Sequence, residues 1–422
     1  MNDSSSRVQQ WKPPVRPDWV QRVNEEGSYL DIKSVVPLDA DSIISHAKAN
    51  TGLSDFGADE WVEPFHVLLK SLNEESNLNL MGRIMTRADL IMYLEARLRI
   101  EDTYKKHPEI EDVELASPTL IVGSGRSGTS AIQNLLNLDQ ENGTTQHWEA
   151  VFPCPPPEKA AYKTDPRIAK ADKIVTMWNR VTPEIMAVHE FGGRMPTEMI
   201  HLQTMSFHNA GWTIFLGFTP TYTDWVNSHS QLVGLLYAKR AMKLLQWKNP
   251  CTRWMLKSPE SMLYLPEMFQ AFPDVKLVWM HRDPVKTVSS AVNMVGTILW
   301  LRSDQQLSEN AIQQITDPAG LAWMFNRVIN QMEQNEIPAD RIYSVQYADF
   351  VRDPVATVAR LYQQLGIVFT PVARQVMEMH QRENPREARP AHNYSVGDRE
   401  QHARERELFK RYQSYFKVPN EV

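Results

Sequence analysis

The chain has 422 residues, 42% hydrophobic and 23% charged, a composition that can bury a sizeable core and form one large domain or two ordinary ones. Its 45 basic and 51 acidic residues give a net charge of -6, which gives no reason to expect nucleic acid or an anionic membrane as a partner. The two cysteines, Cys154 and Cys251, are too few for a disulfide framework and lack metal-binding spacing. With no signal-peptide pattern and no apolar run of membrane-spanning length, we expect a cytoplasmic protein without a membrane span.

The predicted elements fall into a helical N-terminal part and an α/β part. Residues 1–30 are polar and contain prolines, and from about Asp39 to Lys106 apolar residues recur at spacings of three and four, as in amphipathic helices. We therefore predict an N-terminal arm and helical preface, packed on the core, over 1–115. The main domain is then 116–422, with a helical insertion at 150–250 and a helical C-terminal region.

Four short apolar runs in the main domain predict strands, and helical patterns lie between or after them. The runs are TLIVG (119–123), TRWMLK (252–257), VKLVWM (275–280) and RIYSVQY (341–347). Strands that alternate with helices predict an α/β fold with a P-loop-like parallel sheet flanked by helices on both faces. Ligands of such sheets bind beyond the carboxyl ends of the strands.

The first strand runs into a glycine-rich turn, Gly123-Ser-Gly-Arg-Ser-Gly128, and then into a helix. Two glycines separated by four residues match the first half of a phosphate-binding P-loop, but Thr129 stands where that loop needs lysine. Backbone N–H groups and the helix N-terminus suffice to hold an anion, and Arg126 adds a cation within the turn. A tight structural connection explains the turn alone equally well.

Further polar residues follow the next two strands. Lys257 ends one strand and Arg282 ends the next, while Ser290 lies about two turns into the following helix, so that arginine and serine could converge on a phosphate monoester. The run His-Arg-Asp-Pro invites comparison with the kinase catalytic loop, but Val288 stands where that loop requires asparagine. A salt bridge at the strand end with a helix cap is the alternative interpretation.

Two other segments have open interpretations. Glu149, in the run HWEAVFPCPPP after the loop's helix, would emerge near the first strand, although most glutamates are simply exposed. The insertion contains an aromatic-rich run that suits an apolar alcohol or phenol, and core packing explains it equally well. Its members are Trp212, Phe215, Phe218, Tyr222 and Trp225.

Together these motifs resemble a known family. The combination of RSGTS after a strand, LKSP, HRDP with serine eight residues after arginine, and VQYADFVRDP resembles the sulfotransferases that use 3′-phosphoadenosine 5′-phosphosulfate (PAPS). The most similar group is the bacterial and related sulfotransferases that share motifs with tyrosylprotein sulfotransferases. The resemblance runs from about residue 50 to the C-terminus and marks 116–422 as the sulfotransferase domain.

The resemblance implies donor-binding roles. In the family the RSGT loop wraps the 5′-phosphosulfate, a role that falls here on Arg126, Ser127, Gly128, Thr129 and Ser130. The arginine and serine eight residues apart bind the 3′-phosphate, which indicates Arg282 and Ser290, and a tyrosine corresponding to Tyr347 borders the adenine. The donor has no β- or γ-phosphate, so the missing lysine of the P-loop is not needed.

The resemblance also implies catalytic roles. Arg126 and Lys257 would neutralise charge on the leaving phosphate, and Glu149, matching the glutamate base of the tyrosylprotein type, would take the proton of the acceptor hydroxyl. Small-molecule sulfotransferases of animals carry a catalytic histidine where Pro259 stands. If Glu149 is not the base, His147 or His189 is the next candidate.

The sequence therefore predicts an enzyme that transfers the sulfuryl group of PAPS to a hydroxyl (or amine) of a small molecule, with 3′-phosphoadenosine 5′-phosphate (PAP) as product and no metal. One rival is a P-loop kinase or NTPase, which would need lysine at 129. The other rival is a nucleotide-binding protein without catalysis. Every charged position that the donor site requires is filled, which argues against this rival.

Overall fold

The fold is described from a computed structural model that covers residues 11–189, 191–303, 309–385 and 395–422. Within these ranges, five parallel strands form one sheet in the order β2-β3-β1-β4-β5. The strands are Pro118–Val122 (β1), Asn142–Gly143 (β2), Arg253–Lys257 (β3), Lys276–His281 (β4) and Ile342–Gln346 (β5). The predicted α/β fold is thus confirmed, and the four predicted strands agree with the structure to within one residue at each end. Only the short β2 was missed.

Helices surround this sheet and precede it in the chain. In chain order they are Asp18–Gly27 (α1), Ile32–Val35 (α2), Ala40–Thr51 (α3), Val62–Glu74 (α4), Leu80–Lys106 (α5), Thr129–Leu136 (α6), His147–Val151 (α7), Pro166–Val181 (α8), Ile185–Val188 (α9), Ile200–Gln203 (α10), Pro220–Asn227 (α11), Leu232–Trp247 (α12), Leu265–Ala271 (α13), Pro284–Trp300 (α14), Glu309–Ile315 (α15), Pro318–Glu333 (α16), Tyr347–Arg352 (α17), Pro354–Leu365 (α18), Pro371–Glu383 (α19) and Arg399–Phe416 (α20).

The two faces of the sheet have separate cores because neighbouring side chains of a strand point to opposite faces. Leu120 and Val122 of β1 pack into one core with residues of α12, α16 and α20. Ile121, between them, packs into the other core with α6 and α18. All five residues of β1 are buried, as expected for the central strand of a parallel sheet covered on both faces.

The helical preface shares a third core with the insertion. Phe65 of α4 and Leu94 of α5 pack there with Phe207, Trp212 and Tyr222 of the insertion. For Trp212 and Tyr222, core packing is therefore the correct interpretation of the aromatic run. The division into an arm and preface at 1–115 and a domain at 116–422 stays a prediction.

The state of the two cysteines and the character of the helices can be compared with the expectations from the sequence. Cys154 and Cys251 are both free thiols. In the described parts of the chain, no helix combines the length and the apolar character that crossing a membrane requires.

The sheet topology brings the predicted motifs together. In the register of the parallel strands, Ile121 pairs with Lys257, and Val122 pairs with Trp279, two residues before His281. The turn after β1, the end of β3 and the end of β4 therefore meet at one carboxyl edge. Since β1 lies between β3 and β4, the glycine-rich turn occupies the middle of that edge.

Candidate active site

The turn between β1 and α6 has backbone angles that depend on glycine. Gly123 has a φ of 143°, and a Cβ added there would lie 2.7 Å from the carbonyl oxygen of Met280. Ser127 is fully buried, and its hydroxyl donates to the carbonyl of Ser124 at 2.7 Å, which closes the turn. Gly128, with a φ of 96°, is the N-cap of α6. The first N–H groups of α6 have no acceptor within the helix, so this edge is suited to an anion.

Lys257 lies at the end of β3, directly beside the start of α6. Its Nζ donates to the hydroxyl of Ser130 at 2.7 Å and lies 2.9 Å from Oε1 of Glu198. The Lys257 side chain is only 2% exposed, so its charge is held in place rather than free in solvent. A buried ammonium bound to a carboxylate and a hydroxyl is a fixed positive charge at the helix N-terminus.

Glu198 is a site residue that the sequence did not indicate. Burial alone would raise its pKa, but the Lys257 ammonium and His189 outweigh burial and hold the pKa of Glu198 well below its usual range. The same oxygen lies 3.7 Å from Nε2 of His189, whose ring stacks on Phe191 at 4.1 Å between centroids. Burial, with the charges of Lys257 and Arg126, lowers the pKa of His189 although Glu198 opposes the shift.

Arg126 points from the turn toward α14 and the end of α9. Its Nε donates to the hydroxyl of Ser290 at 3.0 Å, and its Nη1 donates to the carbonyl of Val188. Arg126 has a φ of 70°, an unusual value for a residue that is not glycine. The structure thus brings Arg126 and Ser290 together. That Ser290 and Arg282 bind the same 3′-phosphate, as the resemblance implies, stays a prediction.

Arg282, at the end of β4, closes the other side of the turn. Its Nη1 donates to the carbonyl of Arg126 at 2.8 Å, and its guanidinium lies 4.0 Å from the ring centroid of Tyr347. The ring of Tyr347 packs so closely on Gly128 that an added Cβ would lie 2.7 Å from it. Glu421 accepts from both Nε and Nη2 of Arg282, each at 2.9 Å. Arg282, Tyr347 and Gly128 therefore form one contiguous surface.

Asp283, next to Arg282, has a structural role. Its carboxylate accepts from the backbone of Val285 at 3.0 Å and so caps α14, and it also pairs with Arg406 of α20. The interpretation of HRDP as a strand end with a helix cap and a salt bridge therefore holds for Asp283.

Glu149 lies apart from these cations. Its carboxylate accepts from the backbone N–H of Gln146 at 2.8 Å, which forms a capping box at the start of α7, and it accepts a second hydrogen bond from Tyr162. Burial raises the pKa of Glu149 to about 7. His147, about 200° away around the helix axis, instead points toward His201, Phe191 and Trp178.

The structure therefore brings most of the predicted residues to one edge of the sheet and leaves one outside. The residues at the edge are Arg126, Ser127, Gly128, Thr129, Ser130, Lys257, Arg282, Ser290 and Tyr347. In the described part of the chain, Glu149 forms no hydrogen bond or ion pair with any of them. Among the residues described by the structure, no three or more His, Cys, Asp or Glu side chains are arranged to hold a metal ion.

The glycine-rich turn and the cations at the carboxyl edge of a parallel sheet define an α/β protein with a P-loop-like site. A sequence profile of the sulfotransferase family matches residues 118–371. Because this match spans more than half of the chain, the chain belongs to the sulfotransferase family, and the protein is a sulfotransferase.

Individual relatives agree with this assignment. The omega-hydroxy-beta-dihydromenaquinone-9 sulfotransferase Stf3 of Mycobacterium bovis is 21% identical over 300 residues, which cover 64% of this chain and 69% of that protein. Sulfotransferase STF9 of Mycobacterium avium has a similar fold, with a TM-score of 0.79 at 23% identity over 90% of this chain and 97% of that one. Sulfotransferase STF1 of Mycobacterium tuberculosis also has a similar fold, with a TM-score of 0.72 at 24% identity over 88% of this chain and 98% of that one.

Proposed function

We propose that this sulfotransferase takes the sulfuryl group from PAPS and transfers it to a hydroxyl, or an amine, of a small molecule. The observation that carries the proposal is a pair of cationic points on either side of one glycine-rich turn. Lys257 lies at the N-terminus of α6, and Arg282 lies against Tyr347 on the far side. A nucleotide with one anionic group at each end and an aromatic base fits this arrangement.

The donor's 5′-phosphosulfate would lie against the turn and the start of α6. There Arg126, Ser127, Gly128, Thr129 and Ser130 supply N–H groups, hydroxyls and a guanidinium. Its 3′-phosphate would bind Arg282 with Ser290 nearby, and its adenine would border Tyr347. The absence of the P-loop lysine at Thr129 fits a donor that has no β- or γ-phosphate.

Sulfuryl transfer resembles phosphoryl transfer in passing through a loose, in-line transition state, with charge growing on the departing phosphate oxygen. Lys257 and Arg126 would stabilise that oxygen, because both carry a positive charge beside the turn. None of these residues requires a metal for this role. The role of Glu149 as the base, which the resemblance implies, stays a prediction, and so does a cytoplasmic location.

Calorimetric titration with PAP, the product nucleotide, tests the donor assignment. We expect the wild-type protein to bind PAP and to respond little to ATP with magnesium. Arg282→Ala should weaken PAP binding by about tenfold or more, since a charge-assisted pair with phosphate is lost. Arg327→Ala is the matched control, because Arg327 donates to the carbonyl of Leu263 away from the turn. Preference for magnesium-ATP would favour a kinase, and no nucleotide binding would contradict the proposal.

A further inference from the structure

The group that takes the proton from the acceptor must lie beside the sulfuryl group, and hence beside the cations at the turn. Glu198 lies in the insertion, on a segment that is tied to this edge by three hydrogen bonds. The backbone N–H of Thr197 donates to the carbonyl of Thr145 at 2.8 Å, and that of Met199 donates to the carbonyl of Lys257 at 2.8 Å. The side chain of Gln133 donates to the carbonyl of Thr197 at 3.0 Å. The position of Glu198 is thus fixed relative to both α6 and β3.

Exposure separates Glu198 from Glu149. The side chain of Glu198 is 23% exposed and remains accessible although it contacts Lys257. Glu149 is 2% exposed, and its carboxylate is already engaged by Gln146 and Tyr162. An acceptor hydroxyl can therefore approach Glu198, whereas it would have to displace the capping box to reach Glu149.

The surroundings of Glu198 also suit a proton acceptor with an apolar substrate beside it. Nε2 of His189 lies 3.7 Å from the Glu198 carboxylate, so the polar edge of the imidazole faces that group. The ring of His189 stacks on Phe191, and Phe191 contacts Phe215 at 5.6 Å between centroids. Both phenylalanine rings are only partly buried, so they offer an apolar wall next to the carboxylate.

We propose that Glu198 accepts the proton of the acceptor hydroxyl, in an assignment that rests on the proposed PAPS-dependent function. The acceptor oxygen forms a bond to sulfur while the bond from sulfur to the bridging phosphate oxygen breaks. The electron pair of that bond leaves with PAP, and the hydroxyl proton passes to the Glu198 carboxylate. An apolar phenol or alcohol is the class of acceptor that the neighbouring rings would take.

Lys257 connects the two halves of this reaction. In the structure its ammonium pairs with Glu198 and keeps that carboxylate weakly basic. As charge grows on the departing phosphate oxygen, the ammonium is drawn toward that oxygen and away from Glu198. The carboxylate then becomes more basic at the stage at which the acceptor loses its proton. The same lysine would therefore stabilise the leaving group and, by leaving its ion pair with Glu198, make that carboxylate available as the base.

The test compares Glu198→Gln with Glu149→Gln, using PAPS as donor and phenol or 4-nitrophenol as acceptor. With phenol, Glu198→Gln should lower kcat by about a hundredfold, the lower range for removal of a general base. At mildly alkaline pH the loss should be much smaller with 4-nitrophenol, whose hydroxyl is more acidic and needs less help from a base. Glu333→Gln is the control, because this exposed glutamate pairs with Arg411 at the surface.

PAP titration of the same variants separates this inference from the proposed function. Glu198→Gln should bind PAP within about threefold of wild type, which also shows that it is folded. If it binds PAP and turns over phenol as fast as wild type, the Glu198 assignment is wrong while the donor site stands. If only Glu149→Gln lost turnover with phenol, Glu149 would be the general base. Glu198→Asp keeps the charge and should retain more activity than Glu198→Gln; equal losses in both would indicate a structural role.

Discussion

The carboxyl group of Glu149 is almost fully buried, and burial raises its pKa to about 7 from an ordinary value of 4.5. The folded protein therefore binds a proton at Glu149 that the unfolded chain releases between these two pH values, and stability must fall as pH rises through this window. Glu149→Gln abolishes this titration. Its free energy of unfolding should rise relative to wild type from about pH 4.5 and level off above about pH 7, by roughly 1.4 kcal/mol per unit of pKa difference.

Urea unfolding of both proteins at several pH values measures this difference. Other titrating groups are the same in the two proteins and largely cancel in the comparison. Parallel stability curves for wild type and Glu149→Gln would show that the carboxyl group of Glu149 is not protonated at neutral pH in the folded protein.

The site residues differ in how far the sequence could reveal them. Lys257 and Arg282 each stand at the end of an apolar run, and parallel strands present their carboxyl ends at one edge, so their proximity follows from the pattern. Glu198 stands in the insertion with no motif around it. Its approach to Lys257 depends on hydrogen bonds such as that between Met199 and Lys257, which join segments far apart in sequence. Periodicity carries no information on such contacts.

At the scale of elements, the strands with apolar runs were predictable and the one without was not. β2 consists of Asn142 and Gly143, two residue types that are rare in strands, and it pairs with β3 at the edge of the sheet. The capping box of α7 is another feature that the sequence pattern did not indicate. Its glutamate is Glu149, which the resemblance had implied to be the base.

The connection from β1 to α6 offers a test of how closely the turn is packed. Gly128 has a φ of 96°, and a Cβ there would lie 2.7 Å from the ring of Tyr347. Gly128→Ala should lower the melting temperature and weaken PAP binding by more than tenfold, because Tyr347 must move away from Arg282. Gly52→Ala is the matched control, since Gly52 also has a positive φ, 69°, but no atom within 4 Å of the added Cβ.

For Gly52→Ala, the free energy of unfolding should fall by about 1–2 kcal/mol, the cost of a left-handed residue other than glycine, and PAP binding should be normal. Thermal melts and PAP titrations of both variants give the comparison. If Gly128→Ala and Gly52→Ala had equal effects on stability and neither affected PAP, the packing of Tyr347 on the turn would be irrelevant to the nucleotide.

At the scale of the whole molecule, the candidate donor site is completed by a segment far along the chain. After α20, residues 417–422 return to the carboxyl edge of the sheet. The backbone N–H of Glu421 donates to Asp283 at 2.6 Å, and Arg406 of α20 binds both Asp283 and the carbonyl of Val422. These contacts hold the Glu421 carboxylate against Arg282, the residue expected to bind the 3′-phosphate. A carboxylate with two hydrogen bonds to a guanidinium resembles a bound phosphate in charge and geometry.

Glu421 should therefore compete with the nucleotide. The Arg282 side chain is 12% exposed and that of Glu421 is 28% exposed, so the pair is partly screened by solvent and worth up to about 1 kcal/mol. Glu421→Gln should then bind PAP roughly two- to fivefold more tightly than wild type. Its affinity for adenosine 5′-phosphate should not change, because that ligand has no 3′-phosphate to compete for Arg282.

Glu407→Gln, a change on an exposed part of α20, is the control. Weaker PAP binding by Glu421→Gln would mean instead that the carboxylate positions Arg282 for the phosphate, and the two nucleotides measured side by side distinguish these roles.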